Sequence, residues 1–101
     1  MNLYLSNSSG FIKLIKDLNK KINVAGTNIN YYRLPKEWYA QKLSDKLMIE
    51  GLDIHRQAIF SIEAGKRSVS DYELCIIAEV LGVSADILLK PFLEYVKNEN
   101  K

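Results

Sequence analysis

Apolar residues recur every three or four positions along most of the chain, a spacing that predicts amphipathic helices rather than strands. The first example is the set Phe11, Ile15, Leu18 and Ile22, with lysines mostly on the other faces. Only the opening segment "MNLYLSN" alternates as a strand would, and an isolated strand needs a partner such as a second copy of the chain. Residues 1–22 are therefore predicted to form an N-terminal extension, with a short strand and an amphipathic helix.

Glycine and proline divide the rest of the chain into five short helices and a tail. A helix is predicted to start near Gly26 or Thr27 and to end close to Pro35, because proline disfavours helix in the residue before it. Pro91 predicts a kink or a fresh helix start, which separates residues 23–90 from a helical C-terminal tail, residues 91–101. The three intervening stops are all glycines: Gly51, Gly65 and Gly82.

Polar residues that can cap a helix N-terminus precede three of the predicted helices. Ser70 with Glu73 three residues later matches a capping box. Ser84 is the predicted cap of the next helix, and Asp53 of the helix before. The order in the middle of the chain is therefore helix, helix, short bridge, helix, basic loop, helix, helix. The residues predicted to face the core are Ile29, Trp38, Leu43, Leu47, Ile54, Ile59, Ile62, Leu74, Ile77, Ala78, Leu81, Val83 and Leu88.

Composition narrows the class of protein. A chain of 101 residues with 48% hydrophobic and 26% charged residues is typical of one soluble globular domain. The single cysteine, Cys75, excludes an internal disulfide and a cysteine-based zinc site, and one histidine, His55, makes a metal cluster unexpected. Neither a signal peptide nor an apolar run of about 20 residues is present. A cytoplasmic protein without membrane contact is the expectation.

The chain carries little net charge and few residues suited to catalysis. The net charge is only +2, and residues 1–25 carry four lysines and one aspartate, so any contact with DNA would depend on local cations. Cys75 falls in the middle of a predicted helix beside its inward face, so a buried structural thiol is expected rather than a nucleophile. There is no glycine-rich phosphate loop, and His55 has no evident carboxylate partner. Neither an enzyme nor a cofactor is expected.

Three segments carry a family resemblance. They are "NINYYRLPKEWYAQKLSDKL", "GLDIHRQAIFSIEAGKR" and "VSDYELCIIAEVLGVSADILL", and "IEAGKR" followed by "IAEVLGVSADIL" is the most specific part. Together they resemble the Cro/cI-type helix-turn-helix domains of the XRE family, over residues 23–89. The joint "MIEGLD" is longer than the family's shortest form. The resemblance implies an all-α, five-helix Cro/cI-like fold for residues 23–90, and a DNA-binding transcriptional regulator that acts as a homodimeric repressor.

The resemblance assigns roles around the third helix, residues 55–64, which would read the major groove. By family position Arg56, Gln57 and Ser61 would face base edges, and arginine and glutamine can each form paired hydrogen bonds to a purine. His55, at the helix start, would touch a phosphate or a base. The next loop would hold DNA phosphates through Lys66 and Arg67, with their backbone N–H groups free to help. Without the resemblance, Lys66 and Arg67 would be interpreted as ordinary solvent-exposed residues of a loop.

Two further assignments concern the neighbouring helices. The family commonly begins its second helix with a hydroxyl residue and a glutamine that binds phosphate, but here Tyr39 and Ala40 stand at those positions. Gln41 is about 100° further round the helix, so Tyr39, Gln41 and Lys36 are the candidate substitutes. Arg33 and Glu63 match a pair that joins the first helix to the recognition helix, and a paired arginine–carboxylate bond would fix the angle between them.

A second function remains open from the sequence. Ala40 at the usual phosphate position and Phe60 on the expected DNA face favour a protein-interaction module, such as an antitoxin whose residues 1–22 bind a partner protein. Phe60 could press on a thymine methyl group, or pack on the N-terminal helix or a partner. Double-stranded DNA is the first expected partner. The homodimer would form through the C-terminal "PFLEYV" or through the N-terminal segment.

Overall fold

The computed structural model describes residues 21–99, and all regular structure in that range is helical. The expected all-α arrangement is confirmed there. The strand and most of the helix predicted for residues 1–22 lie outside the described residues. The helices are α1 (Gly26–Arg33), α2 (Ala40–Ile49), α3 (Arg56–Glu63), α4 (Asp71–Leu81), α5 (Ala85–Leu88) and α6 (Lys90–Glu99), with a 3-10 turn at Leu34–Lys36.

Proline and capping residues set most helix ends where the sequence predicts them. Helix α1 ends at Arg33, and the 3-10 turn that follows carries Pro35. Ser70 and Glu73 form the predicted capping box, and the Ser84 hydroxyl accepts from the Ile87 amide. Helix α6 starts anew at Lys90, so the chain restarts at Pro91 as expected.

The prediction that Asp53 caps the third helix is wrong. Helix α3 begins at Arg56, and its N-cap is His55, whose Nδ1 accepts from the Gln57 amide at 3.3 Å. Asp53 lies between Leu52 and Ile54, which are buried outside any helix, and the Ile54 carbonyl accepts from the hydroxyl of Ser44 in α2 at 2.7 Å. These contacts pack the bridge on α2 in a non-helical conformation, so the helix begins only after it.

The core matches the predicted pattern with small differences. Ten of the thirteen predicted residues are buried, whereas Trp38, Leu74 and Val83 lie partly buried at its edge. The sequence did not point to Ala25, Ala40 or Leu52, which are also buried. The full set of buried apolar residues is Ala25, Ile29, Ala40, Leu43, Leu47, Leu52, Ile54, Ile59, Ile62, Ile77, Ala78, Leu81 and Leu88.

Helix packing leaves α3 on the surface of the domain. Helices α1 and α2 both pack on α3, and α4 packs against α1 and α2 behind it. Helix α5 packs against α4 and α1, and α6 contacts mainly α5. The described residues span 44 × 23 × 22 Å. Helices α2 and α3, consecutive in the chain and joined by a short bridge, therefore form a helix-turn-helix whose second helix is accessible from outside.

Candidate nucleic-acid interface

Helix α3 has one apolar and one polar face. Ile59 and Ile62 are 2% and 1% exposed and hold the helix on the core. Arg56 and Gln57 are exposed in the first turn, and Ser61 is half-buried one turn later. At about 100° per residue, Gln57 points away from both isoleucines, and Ser61 lies beside it on the same side of the helix. Side chains that can donate to and accept from base edges therefore share the solvent side of the helix.

An ion pair fixes the last turn of α3 to α1. The Arg33 Nε donates to Glu63 Oε2 at 2.7 Å and its Nη2 donates to Glu63 Oε1 at 2.9 Å, with both side chains buried. Asn30 donates to the same carboxylate at 3.1 Å. The hydrogen bond to Glu63 raises the pKa of Arg33. This is the predicted pair, and its two parallel bonds restrict the angle between the helices.

The Arg33 guanidinium has a third partner that the sequence did not indicate. Its Nη1 donates to the carbonyl of Trp38 at 2.7 Å, just ahead of α2. One buried side chain therefore joins α1, the last turn of α3 and the start of α2. This guanidinium is therefore one of the contacts that fix the relative positions of the two helices of the helix-turn-helix.

Asn23 forms a second link that sequence reasoning missed. Its Nδ2 donates to the carbonyl of Ile62 at 3.0 Å and to that of Arg67 at 2.9 Å. Its Oδ1 accepts from the amide of Gly26 at 2.7 Å. The spacing of Asn23 and Gly26 is that of a helix cap, which was the only available signal. The first described residues thereby hold both the end of α3 and the loop after it.

The start of α1 approaches the end of α3 very closely. A Cβ at Gly26 would clash with the Ile62 carbonyl oxygen, so only glycine fits there. The Ile22 amide also donates to the Gly65 carbonyl at 2.8 Å. The last turn of α3 is therefore held by contacts on several sides.

The loop after α3 differs from the prediction in the backbone of Lys66. The Lys66 amide donates to the Ser61 carbonyl at 2.8 Å and the Gly65 amide to the Ile62 carbonyl at 2.9 Å, the paired closure of a helix that ends in a left-handed glycine. Gly65 has φ +76. The backbone N–H of Lys66 is therefore not free to bind phosphate, contrary to the prediction. Its side chain is exposed and forms no ion pair within residues 21–99.

Arg67 lies against the capping box of α4. Its guanidinium donates to both carboxylate oxygens of Glu73, at 3.0 and 3.3 Å, and to the Ser68 carbonyl at 3.0 Å. The hydrogen bond from Arg67 is the main reason why the pKa of Glu73 is lowered, although burial acts in the opposite direction. A phosphate contact from Arg67 would have to use its remaining donors.

A helix-turn-helix family model matches residues 29–88, which is well over half of the chain. The chain belongs to the XRE-type helix-turn-helix family. Members of this family are DNA-binding transcriptional regulators and are not typically enzymes. Searches of curated proteins and of solved structures give no match. The match runs from Ile29 in α1 to Leu88 in α5, so it covers all five helices expected for the fold.

The start of α2, where relatives of this helix-turn-helix domain commonly bind phosphate, has its own arrangement. Tyr39 is the N-cap, without a side-chain hydrogen bond to the helix, and it is 84% exposed. Ala40 is buried, since it faces the core at this position. The Gln41 side chain donates to Asp45 at 2.9 Å, so it already has an intrahelical partner. Of the predicted substitutes, Tyr39 and Lys36 are the exposed side chains without such a bond.

Three lysines surround the ring of Trp38 in the helix-turn-helix domain. The Nζ atoms of Lys36, Lys42 and Lys46 lie 5.2, 5.8 and 4.7 Å from the ring centroid, within the range of cation–π attraction. We call this group the lysine patch. Its grouping could not be deduced from the sequence, which gives the spacing of Lys42 and Lys46 but not the direction of Trp38.

The described residues contain neither a candidate metal site nor a candidate membrane span. Within residues 21–99 there is no grouping of histidine, cysteine and carboxylate side chains that could hold a metal ion. No helix in that range is both long and apolar enough to span a bilayer. Cys75 is exposed on α4 rather than buried, which differs from the expectation of a buried thiol.

Proposed function

We propose that this helix-turn-helix protein is a sequence-specific DNA-binding repressor that reads the major groove with α3. The observation that carries the proposal is the solvent-facing part of that helix, where Arg56 and Gln57 are exposed in the first turn and Ser61 is half-buried one turn later, while Ile59 and Ile62 are buried in the core. Arginine pairs with guanine O6 and N7 and glutamine with adenine N6 and N7. Arg56 and Gln57 are therefore the proposed base readers, with Ser61 beside them.

Contacts to the DNA backbone would position this face. The exposed Lys66 follows α3, and Tyr39 and Lys36 precede α2, so they flank the base readers in the chain on both sides. His55 and Arg67 have side-chain hydrogen bonds to the protein, and Gln41 is bonded to Asp45. We assign phosphate contact first to Lys66, and then to Tyr39 and Lys36. Gln41, His55 and Arg67 would bind phosphate only if their side chains shared or exchanged their present hydrogen-bond partners.

A homodimer is part of the proposal. One recognition helix covers a few base pairs, and family members of this architecture reach a full site by pairing two domains about 34 Å apart. Helix α6 supports a dimer, because it contacts mainly α5 and its Leu93 is exposed. A protein bound over a promoter in this way would exclude the polymerase.

Selection from a pool of random-sequence duplexes, followed by sequencing, tests the function directly. It is run at low and near-physiological salt with protein whose helical content has been checked. The expected result is one enriched site with two-fold symmetry, which a dimeric reader requires. An enriched site without symmetry would contradict the dimer but would still support base reading by α3. No enrichment at either salt would contradict sequence-specific binding.

One observation favours a second candidate function. Phe60, on the solvent side of α3, is 49% exposed, and a large apolar side chain there suits a protein surface as well as a thymine methyl group. The candidate is a partner-binding module, such as an antitoxin, in which residues 1–22 supply further contact. Phe60→Ser distinguishes the two functions. If Phe60 contacts thymine, the variant loses preference at one base pair of the selected site, whereas a protein contact leaves that preference intact.

A further inference from the structure

Charges alternate in sign along a groove between α5 and α6. The groove contains two apolar side chains, Ile87 and Leu93, which are both 36% exposed. Beside them lie four exposed charged residues in the order negative, positive, negative, positive: Asp86, Lys90, Glu94 and Lys97. The groove therefore combines apolar surface with a regular order of charge.

Helix spacing explains why the charged residues share one side. Asp86, Lys90, Glu94 and Lys97 are separated by four, four and three positions, and residues at that spacing are neighbours on a helix surface. The Leu89 amide and carbonyl both take part in helical hydrogen bonds, so the backbone of α5 continues into α6 with little interruption. Helix α6 packs mainly on α5, a single turn, and the groove side of it faces solvent.

Contacts within one copy leave these charges available. The Lys90 Nζ lies 3.7 Å from the Glu94 Oε1, and the two side chains are 67% and 58% exposed. An exposed pair of this kind contributes little to stability. Asp86 and Lys97 form no ion pair within residues 21–99. All four side chains can therefore pair with charges on a second molecule at little cost to the fold.

The order of charges is complementary to its own reversal. An antiparallel second copy places Lys90 of one molecule opposite Glu94 of the other, and Asp86 opposite Lys97, and two-fold symmetry repeats each pairing. A parallel copy would instead bring like charges together, which is unfavourable. Charge complementarity therefore selects a second copy of this chain, in the antiparallel orientation, as the occupant of the groove.

The same arrangement covers the apolar side chains. The two-fold axis would cross α6 midway between Lys90 and Glu94, and Leu93 lies one residue from that point, in the groove. The two Leu93 side chains would therefore meet at the axis, and Ile87 would be covered by the far end of the opposite α6. Burial of this apolar surface supplies the attraction, while the charges set the orientation.

From this pattern we infer that the α5–α6 groove is the surface through which two copies of the chain pair, with their α6 helices antiparallel. The inference rests on the proposed function and deepens it, because it assigns the homodimer contact to named residues. The groove is lined by α5 and α6, so a second copy seated there leaves the exposed first turn of α3 open to DNA. Two short helices bury little surface, so the free protein should pair weakly, and DNA with two half-sites should strengthen the pairing.

Sedimentation equilibrium of the full chain, over a range of concentrations, tests the pairing with two variants. Lys90→Glu and Glu94→Lys each place like charges opposite one another at both symmetric positions. Each should weaken self-association by about tenfold, because two exposed attractive pairs become repulsive. An equimolar mixture of the two variants should associate as the wild-type protein does, since every charge of one variant then faces its opposite in the other.

The mixture separates contact between copies from contact within one. Each variant also breaks the Lys90–Glu94 pair of its own chain, and mixing cannot restore that pair. Recovery in the mixture therefore reports only on pairing between molecules. Lys42→Glu, at an exposed lysine of α2, makes the same charge change outside the groove and should leave association unchanged. Circular dichroism and thermal unfolding establish that all variants fold.

A second pair of variants tests the apolar part of the contact. Leu93→Ser should weaken self-association, because it removes the side chain nearest the two-fold axis. Ile49→Ser is the matched control, since Ile49 is 80% exposed at the end of α2 and lies outside the groove. Equal association of these two variants would contradict burial of Leu93 between copies.

The remaining outcomes distinguish the groove from the dimer as such. Wild-type self-association that neither charge variant weakens would overturn the inference and leave the proposed homodimer to another surface. Weaker association in both variants without recovery in their mixture would overturn the antiparallel pairing. A wild-type protein that stays monomeric at its highest soluble concentration and when bound to DNA would overturn both the groove contact and the homodimer, and would leave the groove to a different protein.

Discussion

Asn23 and Ile62 are 39 positions apart in the sequence, and a 3.0 Å hydrogen bond joins the amide of one to the backbone carbonyl of the other. The same amide donates to Arg67, so one side chain satisfies two carbonyls at the end of the recognition helix and in its loop. The Ile62 carbonyl also accepts from the Gly65 amide, so Asn23 adds a second donor there. The contact therefore closes the domain at the end of α3, the helix that we propose reads DNA.

Asn23→Ala should lower the free energy of unfolding by about 1–3 kcal/mol, because it removes three side-chain hydrogen bonds and leaves part-buried groups unpaired. Urea denaturation followed by circular dichroism measures this. Asn98→Ala, at an exposed asparagine of α6, is the matched control and should change little. Equal stabilities of the two variants would show that the Asn23 contacts contribute nothing net.

Arg33→Ala should cost about 3–5 kcal/mol of stability, since it leaves the Glu63 carboxylate buried without its cation. The double variant Arg33→Met/Glu63→Leu removes both charges and should recover part of that loss. Thermal and urea unfolding of the single and double variants check this. A double variant no more stable than Arg33→Ala would indicate that the Trp38 and Asn30 bonds, rather than the buried charge, dominate.

Glu73 should make stability depend on pH in acid. Its pKa is lowered in the folded protein, so the ionised carboxylate stabilises the fold above the ordinary glutamate value of about 4.3. This contribution is lost as the pH falls through the lower folded-state pKa, because the folded protein must then take up a proton. Unfolding midpoints from about pH 7 to about pH 3 should fall more steeply for the wild-type protein than for Glu73→Gln. Parallel curves would contradict the role of the carboxylate.

Arg56→Ala should relax sequence preference and cost about 1–3 kcal/mol of binding to a selected site, with little effect on binding to unrelated duplexes. The side chain is exposed and has no hydrogen bond within the described chain, so stability should not change. Competition among single-base variants of the site is the measurement. Wild-type discrimination at every position would remove Arg56 from the base readers.

Lys66→Ala should weaken binding to every duplex alike and reduce the salt slope by about 1. Its backbone amide closes the end of α3 whatever the side chain is, so the variant should keep its fold. Titrations of one duplex at several salt concentrations give the slope. The same slope as the wild-type protein would mean that the Lys66 side chain lies away from the backbone.

Local signals were sufficient for most of the fold. Pro35, the glycine stops and the Ser70 cap act within a few residues, so the sequence displays them directly. Asp53 failed as a cap because its neighbours Leu52 and Ile54 are buried in the bridge, where the Ser44 hydroxyl ties Ile54 to α2. The Asn23 contacts and the lysine patch depend on which side chains the fold brings together, which no local pattern contains. The resemblance supplied the Arg33–Glu63 pair, but not the bond from Arg33 to Trp38.

The two ends of α3 differ in how freely their residues can change. The last turn is held by Asn23, by the close approach of Gly26 and by Arg33, so substitutions there would disturb the whole domain. The first turn exposes Arg56 and Gln57, and within the described residues neither side chain forms a hydrogen bond or ion pair with another element. Under the proposed function, substitutions in the first turn would change the DNA sequence that is bound at little cost to folding, and related proteins could diverge in target while keeping one scaffold.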